Sequence, residues 1–198
     1  MKKLAETEVQ IAPLIAERWS PRVFDPEFEI DENSVKSILE AARWAPSCFG
    51  DQPWKFIIFQ KKDALQWVNA LNCLSVGNQN WAMDTSLLIC VCANKKFKHN
   101  DNENRWSQYD TGAASENICL QSTYLGLAAH QMGGFDSDKI RNLANIPVEF
   151  DVMSFIAIGK PLAKNSMTND QVEAEGSVRK RIKLKEIYFE NKWDNFKG

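Results

Sequence analysis

The segment Glu17-Arg18-Trp19-Ser20-Pro21-Arg22-Val23-Phe24 carries two arginines four residues apart around a serine. A guanidinium is a planar fork of donors that fits phosphate oxygens, and a serine hydroxyl with nearby backbone N–H groups completes a cradle for an anion. A second segment with the means to hold a ligand is Ala45-Pro46-Ser47-Cys48-Phe49-Gly50-Asp51-Gln52-Pro53-Trp54. Pro46 stops a preceding helix, because the residue before proline avoids the α region, and Gly50 lets the backbone approach a ligand closely. Ser47 and Gln52 add hydrogen-bonding groups, and Trp54 adds a flat wall. The same residue types also build an ordinary helix-to-strand connection. Nothing beside Cys48 in sequence would activate a thiol, so it is read as a contact residue. No side chain stands out as a general acid or base, and no catalytic residue is assigned.

The elements that position these segments are legible from periodicity. Residues 6–19 read as a short helix, provided that Pro13 lies in its first turn. Asp31-Glu32-Asn33-Ser34 supplies caps before Val35, Ile38, Leu39 and Ala42, which recur at helical spacing until Pro46. Residues 54–59 and 86–92 are unbroken apolar runs of strand length, with a helix over 63–74 between them. A densely polar loop at 95–104 precedes the longest helical pattern, 106–127, which is rich in small residues such as Gly112, Ala113, Ala114 and Ser115. Such residues let another backbone come close. A short strand at 128–132, a helix capped by Asp136 or Ser137, and a strand at 150–158 follow. The tail at 163–198 is polar and could not bury a core of its own. The pattern predicts one α+β domain over 1–198, with a mixed sheet flanked by helices. There is no internal repeat, and no Gly-x-Gly-x-x-Gly follows a strand, which counts against a Rossmann domain.

Composition sets the outer bounds. The chain has 198 residues, 44% of them hydrophobic and 11% aromatic, enough for a substantial single core. A net charge of −2 argues against a nucleic-acid partner. No window reaches the ~18–20 apolar residues of a membrane span, and the acidic start does not read as a signal peptide, so no membrane association and a cytoplasmic location are expected. Five cysteines without paired spacing, and only His99 and His130 to join them, argue against a disulfide framework and a zinc site. Cys90 and Cys92 read as core thiols.

Taken in order, the two ligand-holding segments resemble the N-terminal signature of the nitroreductase family of FMN-dependent flavoproteins. The likeness continues through Leu74-Ser75-Val76-Gly77-Asn78-Gln79-Asn80-Trp81, the small-residue helix from Asp110, the segment Met132-Gly133-Gly134-Phe135-Asp136, and Arg179-Lys180-Arg181-Ile182-Lys183-Leu184. It implies a central, mostly antiparallel sheet flanked by helices. Two subunits would enclose two FMN sites at their interface, and a C-terminal arm at about 163–198 would embrace the neighbour.

The resemblance also implies site residues. Arg18, Ser20 and Arg22 match the family's phosphate-binding residues, with Trp19 between them, and Arg179 and Arg181 match its C-terminal basic pair. Arg22 and Asn78 match positions at the pyrimidine edge of the flavin. A backbone N–H from Gln131, Met132, Gly133 and Gly134 would reach flavin N5, glycine allowing close approach. Pro46, Ser47, Cys48 and Gly50 would contact the flavin from the other subunit. Three of these readings have plain alternatives: a solvated basic face at 179–181, a turn residue at Asn78, and a tight turn at Gly133-Gly134. Trp19 and Trp81 depart from family members that carry polar or basic residues there, and Gly133 stands where an acidic residue is common. The activity implied is ping-pong hydride transfer from NAD(P)H through FMN to a small electron-poor acceptor, such as a nitroaromatic or quinone. A specialised reductase of an enal, aldehyde or halogenated aromatic, or a non-catalytic FMN-binding scaffold, are the alternatives.

Overall fold

Apolar runs without alternation must be covered on both faces; the run at 86–92 is buried along its length, whereas the run at 54–59 lies at the edge of the sheet and leaves Lys55 and Ile58 exposed. The computed structural model describes residues 3–193. Trp54–Gln60 (β1), Leu87–Asn94 (β2), Ala128–Met132 (β3) and Phe150–Gly159 (β4) form one sheet in the order β1-β2-β4-β3. Every pairing is antiparallel, so the mixed sheet expected from the pattern is in fact uniform. The helices are Pro13–Glu17 (α1), Glu32–Arg43 (α2), Ala64–Leu71 (α3), Val76–Ala82 (α4), Ser107–Tyr124 (α5), Ser137–Leu143 (α6) and Asn169–Glu175 (α7).

Alternate residues of β2 enter two different cores. Leu88, Cys90 and Cys92 pack with Trp67 of α3, Trp81 of α4 and Ile140 of α6. Leu87, Ile89 and Val91 pack with Ile38 and Ala42 of α2 and with Ala114 and Ile118 of α5. The result is a three-layer sandwich with β2 and β4 at its centre. Each fully buried aliphatic side chain there contributes about 1.5–3 kcal/mol, so the central strand pair is the most strongly specified part of the molecule. Cys90 and Cys92 lie on one face with their sulfurs 3.9 Å apart, inside the core as expected.

Local signals account for most helix ends. The Asp31 side chain accepts the Ser34 N–H and starts α2, and Asp136 accepts from Asp138 and Lys139 and starts α6. The helix expected over 6–19 is shorter than its pattern, because Pro13 is its first residue and Ala12 its extended cap. Proline lacks an N–H and crowds the preceding turn, so residues 6–12 stay outside the helix. Helix α4 was not anticipated.

The polar tail is not a free arm over its described length. Thr168 and Gln171 form a reciprocal capping box that opens α7. Beyond it, the Lys3 ammonium donates to the Ser177 carbonyl at 2.9 Å, and Arg179 donates to the carbonyls of Lys3 and Ala16 at 2.8 and 2.9 Å. The stretch expected to reach a partner thus first folds against its own N-terminal segment. Residues 194–198 of the expected arm lie outside the described residues. Among the described residues, no helix is long and apolar enough to cross a membrane.

Candidate functional site

Arg18 ends α1 in an extended conformation, its N–H still bonded to the Leu14 carbonyl at 3.1 Å. From Val23 on, the chain is tied again: Leu162 donates its N–H to the Val23 carbonyl at 3.2 Å, Asp25 to the Lys160 carbonyl at 2.9 Å, and Phe24 bridges Pro161. Arg18 to Arg22 is therefore a short span between two anchors, and it forms one wall of a cleft of about 670 Å³. That volume lies within the ~300–1,000 Å³ of small-molecule and cofactor sites.

The opposite wall comes from the tail. Arg179 and Arg181 line the same cleft as Arg18, Ser20 and Arg22, so the two basic clusters that are distant in sequence meet. Arg18 donates to the Ser20 hydroxyl at 3.4 Å and lies 3.5 Å from the Glu116 carboxylate of α5. Burial, together with Arg18 and Arg181 close by, pulls the Arg179 guanidinium below its ordinary value. Such crowding of cations is relieved by an incoming anion. Trp19 joins this cleft with the Lys3 ammonium 4.7 Å over its ring.

The floor is aromatic. Trp81, buried on α4, lies with its ring 4.5 Å from that of His130 on β3, and 6.1 Å from that of Phe24. His130 presents Nδ1 to the Pro21 carbonyl at 2.8 Å; because a carbonyl only accepts, Nδ1 carries the proton. Burial holds the imidazole below its usual value and Arg22 and Arg18 add to that, while the Pro21 bond and Glu175 oppose it. Glu175, at the end of α7 and 5% exposed, accepts the Arg22 N–H at 2.6 Å. Neither His130 nor Glu175 was singled out as a site residue. The sequence shows only an isolated histidine in a short strand and an acid in a polar tail, and no spacing links them to Arg22.

The loop at 131–134 is held by backbone. The Gly134 carbonyl accepts from the Ser75 N–H and from the Asn78 side-chain amide, both at 2.9 Å. Asn78 is thus turned onto the loop, as a turn-stabilising residue would be. A Cβ on Gly134 would lie 2.8 Å from the Ser75 hydroxyl and 2.9 Å from the Asn78 amide, and its φ is not in the left-handed range. Packing against α4 is by itself enough to require glycine there, and no left-handed φ contributes to the requirement. A Cβ on Gly133 meets nothing within 4 Å. Gln131 points its amide to the Cys119 sulfur at 3.4 Å, and Met132 is core.

Pro46, Ser47, Cys48 and Gly50 do not line the cleft of their own chain. Their loop projects elsewhere, with Phe49 83% exposed at its tip. Another cleft, of about 720 Å³, opens beside the start of α5, but Lys95, Lys96 and Arg105 there face Glu103, Glu149 and Asp151, and it has no aromatic wall. The convergent arginines, the serine and the aromatic floor make the cleft at Arg18–Arg22 the candidate site, with the groups that a flat ligand carrying a phosphate would need.

Comparison with known proteins bears on the family of the chain. The sequence profile described as the Nitroreductase family matches residues 15–73 and 68–160. A protein of Archaeoglobus fulgidus, provisionally assigned as an NADH dehydrogenase/NAD(P)H nitroreductase, is 30% identical over 152 residues, covering 75% of this chain and 83% of its own. The oxygen-insensitive NADPH nitroreductase of Helicobacter pylori is 24% identical over 188 residues, covering 77% and 88%. A crystal structure described as an oxidoreductase containing FMN superposes with a TM-score of 0.87 at 33% identity over 96% of each chain.

Proposed function

The chain belongs to the nitroreductase family, and from that premise we propose that it is an FMN-dependent NAD(P)H oxidoreductase reducing nitroaromatics, quinones or related electron-poor acceptors in a ping-pong cycle. The observation that carries the reading is the convergence of Arg18, Ser20 and Arg22 with Arg179 and Arg181 on one cleft floored by Trp81 and His130. A phosphate rewards that set because hydrogen bonds to a charged acceptor are about twice as strong as neutral ones.

FMN, when bound, supplies the hydride chemistry that links NAD(P)H to the acceptor. The residues of the chain bind and orient it. The arginines and Ser20 would hold the phosphate, and Trp81 with His130 would offer an aromatic surface to the flat ring system. The open space at Gly133 would leave room for a ligand beside the backbone. No side chain in the cleft is assigned as a proton donor or acceptor, so protons for the acceptor come from solvent in this reading.

The working unit is a homodimer, with the loop of Pro46, Ser47, Cys48 and Gly50 completing the site of the other subunit, in the cytoplasm. In support, that loop presents exposed Phe49, and the outer face of α5 carries exposed Tyr109 and Tyr124 with open space at Gly112.

Purified protein should be yellow, bleach anaerobically with NADH or NADPH, and regain colour when a quinone or nitroaromatic is added. A colourless protein that takes up no added FMN overturns the reading, and a yellow protein left unbleached by either nucleotide reduces it to a flavin binder.

A further inference from the structure

We propose that His130 and Glu175 are positioning residues for the anion cradle, gripping the two ends of the single peptide unit between Pro21 and Arg22. The proposal rests on the cofactor reading above and adds to it two residues outside the arginine signature. His130 on β3 holds the carbonyl of that peptide at 2.8 Å, and Glu175 on α7 holds its N–H at 2.6 Å. In a trans peptide the carbonyl and the N–H lie in one plane and point in opposite directions, so the peptide is held from two directions by two elements of the fold.

The position of this peptide explains what the grip does. The proline ring fixes φ of Pro21 near about −65°, and the peptide itself is planar. The proline also biases ψ of Ser20 before it to extended values. The torsions that flank the held plane are ψ of Pro21 and φ of Arg22, and both swing its orientation. A rotation about either pulls the carbonyl from His130 or the N–H from Glu175. The nearest backbone ties on either side are at Arg18 and Val23, so the clamp extends the Val23 anchor back toward the open stretch at Trp19 and Ser20. Pro21 is buried, whereas Ser20 and Arg22 on either side of it are exposed to the cleft. The grip thus acts on the buried hinge and sets the relative placement of the two exposed ligand-binding side chains.

Both clamping groups are themselves held. His130 is paired with Ala157 across the sheet, and its ring lies against Trp81. Glu175 is buried at the end of a helix whose start is fixed by the Thr168–Gln171 capping box. Its carboxylate takes the backbone N–H of Arg22, which leaves the guanidinium to the cleft. The tail therefore does two things at the site: it brings Arg179 and Arg181 to it, and through Glu175 it sets the geometry of the N-terminal arginines.

The test uses the full-length protein and two probes, FMN and riboflavin, which lacks the phosphate, titrated by quenching of flavin fluorescence beside a melting curve. Glu175→Ala and His130→Phe, the latter keeping an aromatic ring on Trp81, should each weaken FMN about tenfold and riboflavin less than about twofold. Glu175→Gln keeps an oxygen for the Arg22 N–H and should restore FMN affinity to within about threefold of the native protein. Because both groups hold one peptide, the double variant should lose little more than the weaker-binding single variant. An FMN-over-riboflavin preference unchanged in the variants overturns the role while leaving the cofactor reading intact, and so does Glu175→Gln binding as weakly as Glu175→Ala. If Glu175→Ala does not fold, His130→Phe and Glu175→Gln decide alone. A native protein that quenches neither flavin overturns both the cofactor reading and this role.

Discussion

The carboxylate of Asp110, buried in the first turn of α5, accepts the backbone N–H of Cys48 at 2.9 Å. This bond anchors a loop whose backbone is otherwise unfavourable. Phe49, Gly50 and Gln52 have φ of 55°, 67° and 51°, and the left-handed region costs a non-glycine residue about 1–2 kcal/mol. The Ser47 hydroxyl accepts the Gln52 N–H, and the Asp51 carboxylate accepts that of Lys98. Held this way, Phe49 stays exposed with its ring 5.8 Å from Phe97 and 5.5 Å from His99. Asp110→Ala leaves the Cys48 N–H without its partner and should cost about 1–3 kcal/mol. The melting temperature should fall and protease cleavage within 47–52 should rise; an unaltered protein would show that the tie is unimportant.

Arg22→Ala should weaken FMN by about 1.5–3 kcal/mol, the range for hydrogen bonds to charged groups. Arg18→Ala/Arg22→Ala should weaken it further, measured by fluorescence titration at fixed salt. Native flavin affinity in the double variant would remove the phosphate from this end of the cleft.

Two adjacent glycines should respond differently. Gly134→Val drives a Cβ into Ser75 and Asn78, and overpacking of that kind costs about 1–3 kcal/mol. Gly133→Ala meets open space and should melt near the native temperature, yet slow anaerobic flavin reduction by NAD(P)H in stopped flow if its backbone serves the ring. Equal melting temperatures for the two variants would contradict the packing at Gly134.

His130 imposes a pH dependence on stability. Its folded pKa lies below the ordinary value of 6.5, through burial first and Arg22 and Arg18 second. Below pH 6.5 the unfolded chain therefore takes up this proton before the folded one does, so the contribution is complete above that pH and is lost as pH falls through the folded pKa. Denaturant midpoints from about pH 8 to about pH 5, a range that spans the ordinary imidazole titration, should decline more steeply for the native protein than for His130→Phe. Parallel profiles would mean that His130 titrates alike in both states.

Sedimentation should find a homodimer burying more than about 2,000 Å². Gly112→Arg, at an open position on the outer face of α5, should shift it toward monomer without lowering the melting temperature of the monomer's own fold. A flavin-loaded native monomer would sink the two-subunit site.

Much of this fold was legible before any coordinates. The Asp31 and Asp136 caps and the unbroken run of β2 are local effects of side chains on the backbone within a turn or a strand, and they survive in place, whereas α1 begins only at Pro13 rather than across 6–19. The pairing of Arg18 with Arg22 around Ser20 is local too, and it pointed to an anion. The tertiary structure alone decided that Arg179 and Arg181 come to the same cleft, that Glu175 and His130 seize one peptide, and that Gly134 is required by Ser75 and Asn78. Those outcomes depend on where β3, α4 and α7 pack, and packing is settled by long-range burial of apolar faces, which leaves no periodicity or spacing in the chain between the residues it brings together.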